Sequence, residues 1–240
     1  MVRSTGPGAP RRAVGIDGTR GGWVAVVVAG DRVTDVWHVT GLATVVERVG
    51  AVPIGVDIPI GLIDRPTRAT DVAVRAQLAH TAASVFPAPC RSVVDAYRSG
   101  ALADHDAATA LSRRITGVGL SRQTWNLVDK IAEADALMEG GVDLREVHPE
   151  LAFHLCAGRP LAGKRTWNGV MARLAILREL GVLPPDHVED GDRVPPDDVF
   201  DAAIVAWTVA GLYQPSGLRC HPDPAMEWDR DRPIAMWTRP

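Results

Sequence analysis

The segment Ala13-Val14-Gly15-Ile16-Asp17-Gly18-Thr19-Arg20-Gly21-Gly22-Trp23-Val24-Ala25-Val26-Val27-Val28 decides how the rest of the chain is read. A short apolar run ends on the carboxylate Asp17, turns through Gly18 to Gly22 and resumes as a longer apolar run. This is the pattern of a β-hairpin. The stretch Pro53-Ile54-Gly55-Val56-Asp57 repeats the apolar run with a terminal carboxylate. If the two runs are neighbouring parallel strands, about 4.8 Å apart, Asp17 and Asp57 meet at one edge of the sheet. Oxygen ligands at such a rim suit a divalent cation.

Working outward, Asp31-Arg32 makes a turn and 33–39 supplies a third strand, completing an antiparallel meander. Residues 41–49 place Leu42, Val45, Val46 and Val49 at helical spacing, with Gly50 as the stop. The order is therefore β-β-β-α-β, and the helix makes a right-handed crossover to a strand parallel to the first. From 64 to 140 the composition turns to alanine, arginine and polar residues. Helical patterns near 70–82, 91–98, 104–116 and 122–139 describe a helical insertion, and Ser121 is placed to cap the last of them. Phe86-Pro87-Ala88-Pro89 is a stiff irregular loop.

A fifth strand is expected over 142–148, with Glu146 and His148 on one face. Pro149 and Glu150 then open a helix, and another spans 166–180. The last strong helix, 196–212, starts with Asp197, Asp198 and Asp201 and is apolar almost all round afterwards. Beyond Gly217 the chain reads as extended.

At 240 residues the chain is long enough for one domain or two, and it is read as one domain over 13–240 with an insertion at about 64–140. Residues 1–12, rich in Gly, Pro, Ser and Arg, read as a disordered tail and not as a signal peptide. The 46% hydrophobic and 23% charged content is that of a soluble globular protein. No apolar run approaches the roughly 20 residues of a membrane span, so the expectation is a cytoplasmic protein without a membrane partner. Cys90, Cys156 and Cys220 are too scattered for a disulfide framework or zinc knuckle. A net charge of −3 speaks against coating nucleic acid by bulk positive charge. Local basic groups at Arg65/Arg68/Arg75, Arg113/Arg114/Arg122 and Arg159/Lys164/Arg165 are solvated helix faces or a basic rim around an acidic centre, and they leave nucleic acid open as a partner.

Asp17, Asp57, Glu146, Asp198 and Asp201 are five acids, each abutting apolar sequence. Brought together they repel and raise one another's pKa unless a cation neutralises them. Hard oxygen donors select Mg2+ or Mn2+ over zinc, and two such ions support phosphodiester hydrolysis. Candidate substrate-binding groups are Lys130, Glu133, His148, Glu150 and Arg75. Each has a structural reading beside the functional one: a cap, a pair across one helical turn, a solvated face. Cys90 and Ser92 lack the setting of a nucleophile elbow. Trp23, Trp125 and Trp167 can pack in cores or stack on bases.

Gly15-Ile16-Asp17-Gly18 with Gly22-Trp23, Asp57-Ile58-Pro59-Ile60-Gly61-Leu62, Phe86 to Pro89, Gln123 to Trp125 with Lys130, Ile131 and Glu133, Glu146 to Glu150, and Asp198 with Asp201-Ala202 together resemble the family called domain of unknown function 429. That family is regarded as predicted nucleases of the RNase H-like superfamily. The resemblance implies a mixed five-stranded sheet of order 3-2-1-4-5 flanked by helices, and metal ligands at Asp17, Asp57, Asp198 and Asp201. It departs at the first helix, where the only acid to match is Glu47. Gly15 to Thr19 also resembles the phosphate loop of actin and sugar kinases, although no internal repeat accompanies it. A binding protein that uses an acidic pocket for a small ligand is the third reading.

Overall fold

A two-residue turn at Arg20-Gly21, with Gly21 at φ +77°, lets the first two strands pair residue for residue. Gly22 has no side chain to carry, and a Cβ there would stand 2.1 Å from the Val39 carbonyl oxygen. The computed structural model describes residues 10–189 and 191–240. Of the expected tail, residues 1–9 lie outside the described residues. Arg12 already belongs to the first strand.

In chain order the elements are β1 (Arg12–Thr19), β2 (Gly22–Ala29), β3 (Arg32–Val39), α1 (Leu42–Val49), β4 (Ile54–Asp57), α2 (Ala69–Leu78), α3 (Arg91–Arg98), α4 (His105–Thr116), α5 (Arg122–Trp125), α6 (Val128–Glu139), β5 (Leu144–Glu146), α7 (Pro149–Ala157), α8 (Trp167–Glu179) and α9 (Pro196–Val209). Four short strands follow, β6 (Arg219–His221), β7 (Trp228–Asp229), β8 (Arg232–Pro233) and β9 (Met236–Thr238). No described helix is long and apolar enough to cross a membrane. The chain divides into two compact units. The first holds the described residues up to Asp57, with Asp143–Arg219 and Trp237–Pro240; the second holds Ile58–Val142 and Cys220–Met236.

The first unit is an α/β layer structure built on a five-stranded sheet of order β3-β2-β1-β4-β5, as the resemblance implies. β1 runs antiparallel to β2 and parallel to β4, with Gly15 opposite Gly55 and Asp17 opposite Asp57. Side chains alternate along a strand, so each glycine shares a face with the aspartate two residues on. On that face lies α9. A Cβ at Gly15 would fall 2.0 Å from the Ala202 carbonyl oxygen and 2.1 Å from the Ala206 nitrogen; one at Gly55 would fall 2.7 Å from methyls of Val205 and Val209. The glycines let the helix backbone rest directly on the sheet, and the two aspartates are thereby carried to its N-terminal half. Overfilling such a contact costs typically about 1–3 kcal/mol. The core of this unit joins Val24, Val26 and Val28 to Phe153, Leu177 and the apolar residues of α9.

The second unit packs helices around a smaller cluster of Cys90, Val93, Ala108, Leu120 and Val128, edged by Tyr97 and Trp125. Its most buried ion pair is bidentate. Arg68 gives Asp71 bonds of 2.6 and 3.2 Å and donates to the carbonyls of Ile60 and Gly61 as well.

Several boundaries differ from the sequence expectation for tertiary reasons. β1 continues past Asp17 to Thr19 because Gly18 and Thr19 still pair with Trp23 and Gly22. The helix expected over 122–139 is broken in two. Ser121 caps α5, Thr124 bonds the Pro87 carbonyl, and Trp125 stacks edge-on against Tyr97, so the chain turns at Asn126-Leu127 before α6 begins. α2 stops at Leu78 and continues as a tighter 3-10 turn, and α9 likewise gives way to one at Ala210–Tyr213. β5 is only three residues long because His148 is taken up as the cap of α7, its Nδ1 accepting from the Leu151 N–H at 3.3 Å.

Candidate metal centre

Three carboxylates, those of Asp17, Asp57 and Asp201, each offer an oxygen within 4.8 Å of the others. Two come from neighbouring parallel strands. The third comes from α9 through the glycine-mediated contact, since Asp201 immediately precedes the Ala202 that touches β1. Asp17 and Asp201 are 7% and 4% exposed. Burial, and then the neighbouring Asp57, Asp201 and Asp198, raise the pKa of Asp17 well above the ordinary carboxylate value. Burial followed by Asp201 does the same for Asp57. Burial pushes Asp201 up to about 6 against the opposing pull of Lys164.

Lys164, from the basic group Arg159/Lys164/Arg165, lies on the loop between α7 and α8. Its Nζ donates to Asp201 Oδ2 at 2.6 Å and stands 3.6 Å from Asp197 Oδ2. Burial works against the ammonium charge, but Asp201, Asp17 and Asp197 more than offset it and push its pKa up. Arg165 reaches the same Asp197 oxygen at 3.6 Å from a side chain 87% exposed. The signal in the sequence was the basic group Arg159/Lys164/Arg165, which could rim an acidic centre or be a solvated face; 37 residues separate Lys164 from its partner.

The other expected site residues are placed as follows. Asp198 lies in the first turn of α9, outside the set of three, with its pKa raised by burial and drawn back by the nearby Thr19 hydroxyl. Glu146 is 3% exposed and sits opposite Val56 on β4, so the pleat directs it to the face away from Asp57, although its charge is felt there. Glu150 is engaged by Arg173, which is 1% exposed and also donates to the carbonyls of Ala162 and Gly169. His148 is the α7 cap. Lys130, Glu133 and Arg75 belong to the second unit. There Arg75 spends its guanidinium on the Val85 carbonyl, with bonds of 2.6 and 3.1 Å, while Lys130 and Glu133 ride on α6 with partners of their own. Glu47 is exposed on α1.

The donor set suits a hard divalent cation. Two buried carboxylates and the half-buried one of Asp57, close enough to raise the pKa values of Asp17 and Asp57, are a site whose repulsion a metal ion would relieve, and all its donors are oxygens. A family model described as "Protein of unknown function (DUF429)" matches residues 15–227. No curated protein and no solved structure matches the chain.

Proposed function

The chain belongs to the DUF429 family, and we propose that it is a divalent-metal-dependent phosphodiesterase acting on nucleic acid. The observation that carries this reading is the convergence of Asp17, Asp57 and Asp201 within 4.8 Å, on strands and a helix that the core holds rigid. Asp17 and Asp57 would hold Mg2+ or Mn2+ from the sheet and Asp201 from α9. Bound there, the ion supplies Lewis acidity toward a phosphodiester and toward water. The chain's own part is positional. Lys164 opposes the rise that burial imposes on the Asp201 pKa and holds its carboxylate through the 2.6 Å bond. Lys164 and Arg165 also put positive charge at the edge of an otherwise negative centre, where a phosphate oxygen must approach.

Two measurements test the reading. Thermal melting with and without Mn2+ should show stabilisation, about 2.7 kcal/mol at a metal concentration a hundredfold over Kd. Single-stranded, duplex, hybrid and branched substrates should then be assayed for cleavage with Mn2+ or Mg2+ and with EDTA. Absence of both metal-induced stabilisation and cleavage of any of the four would leave a binding protein. Stabilisation by ATP with magnesium and no cleavage would favour the phosphotransferase reading.

A further inference from the structure

Of the three tryptophans that the sequence offers as stacking surfaces, the fold puts two away. Trp23 is 1% exposed on β2, and Trp125 lies edge-on to Tyr97 at 5.8 Å between ring centres. Trp167, the first residue of α8, is 76% exposed. A single exposed aliphatic residue is ordinary, but an indole left in water forgoes a large burial gain and is a frequent anchor for a partner. Three further observations give this one a direction.

Distance comes first. Lys164, whose ammonium lies on Asp201, is three residues earlier, so the two Cα atoms are no more than about 11 Å apart even along an extended chain. Charge is the second: the loop leading to Trp167 carries Arg159, Lys164 and Arg165, the last with its side chain 87% exposed. Order is the third. A Cβ at Gly169 would stand 2.0 Å from the Gly163 carbonyl oxygen, so the loop lies flush on the first turn of α8. Thr166 caps that turn, accepting from the Gly169 N–H and donating to the Gly163 carbonyl. Arg173, held by Glu150, fastens the Ala162 carbonyl from below. Met171, one turn along α8, continues the apolar surface at 42% exposure.

A flat aromatic surface set a few residues from exposed cations, at the rim of an acid centre, matches a ligand that alternates flat faces with anionic links. We propose that Trp167 is a stacking platform for an unpaired base of a single-stranded nucleic acid, whose phosphates pass Arg165 and Lys164 on the way to the acid centre. In a duplex both faces of each base are already stacked, so the platform selects a single strand. The assignment rests on the phosphodiesterase reading only for what the acid centre does with the strand.

The experiment is fluorescence anisotropy with an end-labelled mixed-sequence 12-nucleotide DNA. Ca2+ replaces Mg2+, so that the carboxylate site is filled by a hard cation of looser geometry and turnover is suppressed. Trp167→Ala should weaken binding about tenfold or more, Trp167→Phe should retain most of it, and melting should be unchanged in both. An abasic 12-mer should bind wild type and Trp167→Ala equally weakly. The proposal is overturned if wild type does not bind the oligonucleotide, or if Trp167→Ala binds it as wild type does. It is equally overturned if a blunt duplex loses as much affinity as the single strand, or if the substitution changes only self-association in sedimentation, which would make Trp167 a contact for a second copy. Binding through Trp167 without cleavage in Mn2+ would sink the phosphodiesterase reading and leave the platform standing.

Discussion

In the second unit Asp135 is met by Arg91, Arg98 and Arg230, whereas in the first unit Asp17, Asp57 and Asp201 meet one another and share the single ammonium of Lys164. The contacts of Asp135 are 2.8, 2.7 and 3.3 Å, and the same arginines go on to Asp229 and Glu139. With Asp95, which Arg91 reaches at 3.5 Å, three guanidinium groups thus face four carboxylates, and every one of the four has an arginine partner. The Arg91 pKa rises despite burial because Asp135 and Asp229 surround it, and the Arg98 bond lowers that of Glu139. In the acid centre the pKa values of Asp17, Asp57, Asp198 and Asp201 are all pushed above the ordinary carboxylate value, by burial first. Density of charge is similar in the two places; the balance of sign is not. A neutralised cluster stabilises the fold, and an unneutralised one stores repulsion that a ligand can release.

The sharpest way to break this contrast is Asp17→Asn, which keeps the side chain's size and removes one charge. Metal-dependent cleavage should fall at least 10²- to 10³-fold, about 3–4 kcal/mol of transition-state stabilisation, while the metal-free protein melts higher than wild type. A variant that lost stability together with activity would show that Asp17 is an ordinary structural acid. The next largest effect is expected in the other cluster. Asp135→Ala leaves three arginines facing one another and should cost about 3 kcal/mol in urea denaturation, held to that by the solvent reach of Arg98 and Arg230. A loss below about 0.5 kcal/mol would mean that the network is decoration.

A smaller effect separates the clusters by pH. Carboxyls whose folded pKa is raised contribute stability that is complete below the unfolded value and is lost as pH rises through the folded one. With EDTA present, lowering the pH from 7.5 to 5 should therefore stabilise wild type relative to Asp17→Asn, by about 1 kcal/mol. Glu139, whose pKa is lowered, has the opposite sign and matters only below its ordinary value of 4.5. Saturating Mn2+ should abolish the gain on acidification, because the metal holds the acids ionised. An identical pH slope in the two proteins would remove the repulsion from the argument. The smallest change is Glu139→Gln at the wet rim of the network, where the loss should stay under about 0.5 kcal/mol; a cost near that of Asp135→Ala would show the network to act as one unit.

The β-β-β-α-β order, the meeting of Asp17 with Asp57 and the acidic start of α9 were legible in the chain before it folded. These rest on local signals: apolar runs bounded by turn residues, a glycine stop at Gly50 and a proline start at Pro196. Register followed, because a slip of one residue between β1 and β4 would put Asp17 and Asp57 on opposite faces of the sheet. The choice among the acids of α9 belonged to the tertiary structure. Asp198 and Asp201 share a helical face in a diagram, yet only the seating of Ala202 and Ala206 on Gly15 decides which reaches Asp17. Lys164 stood in the sequence within one basic group among three, and Trp167 as one candidate tryptophan among three; the bond of Lys164 to Asp201, the exposure of Trp167 and the bracing of their loop by Arg173 and Glu150 came only with the tertiary structure. Their partners are far along the chain, and neither spacing nor residue type distinguishes a lysine in water from one buried against an aspartate, or a tryptophan in a core from one left at the surface. Only the closure of the chain on itself assigns those neighbours.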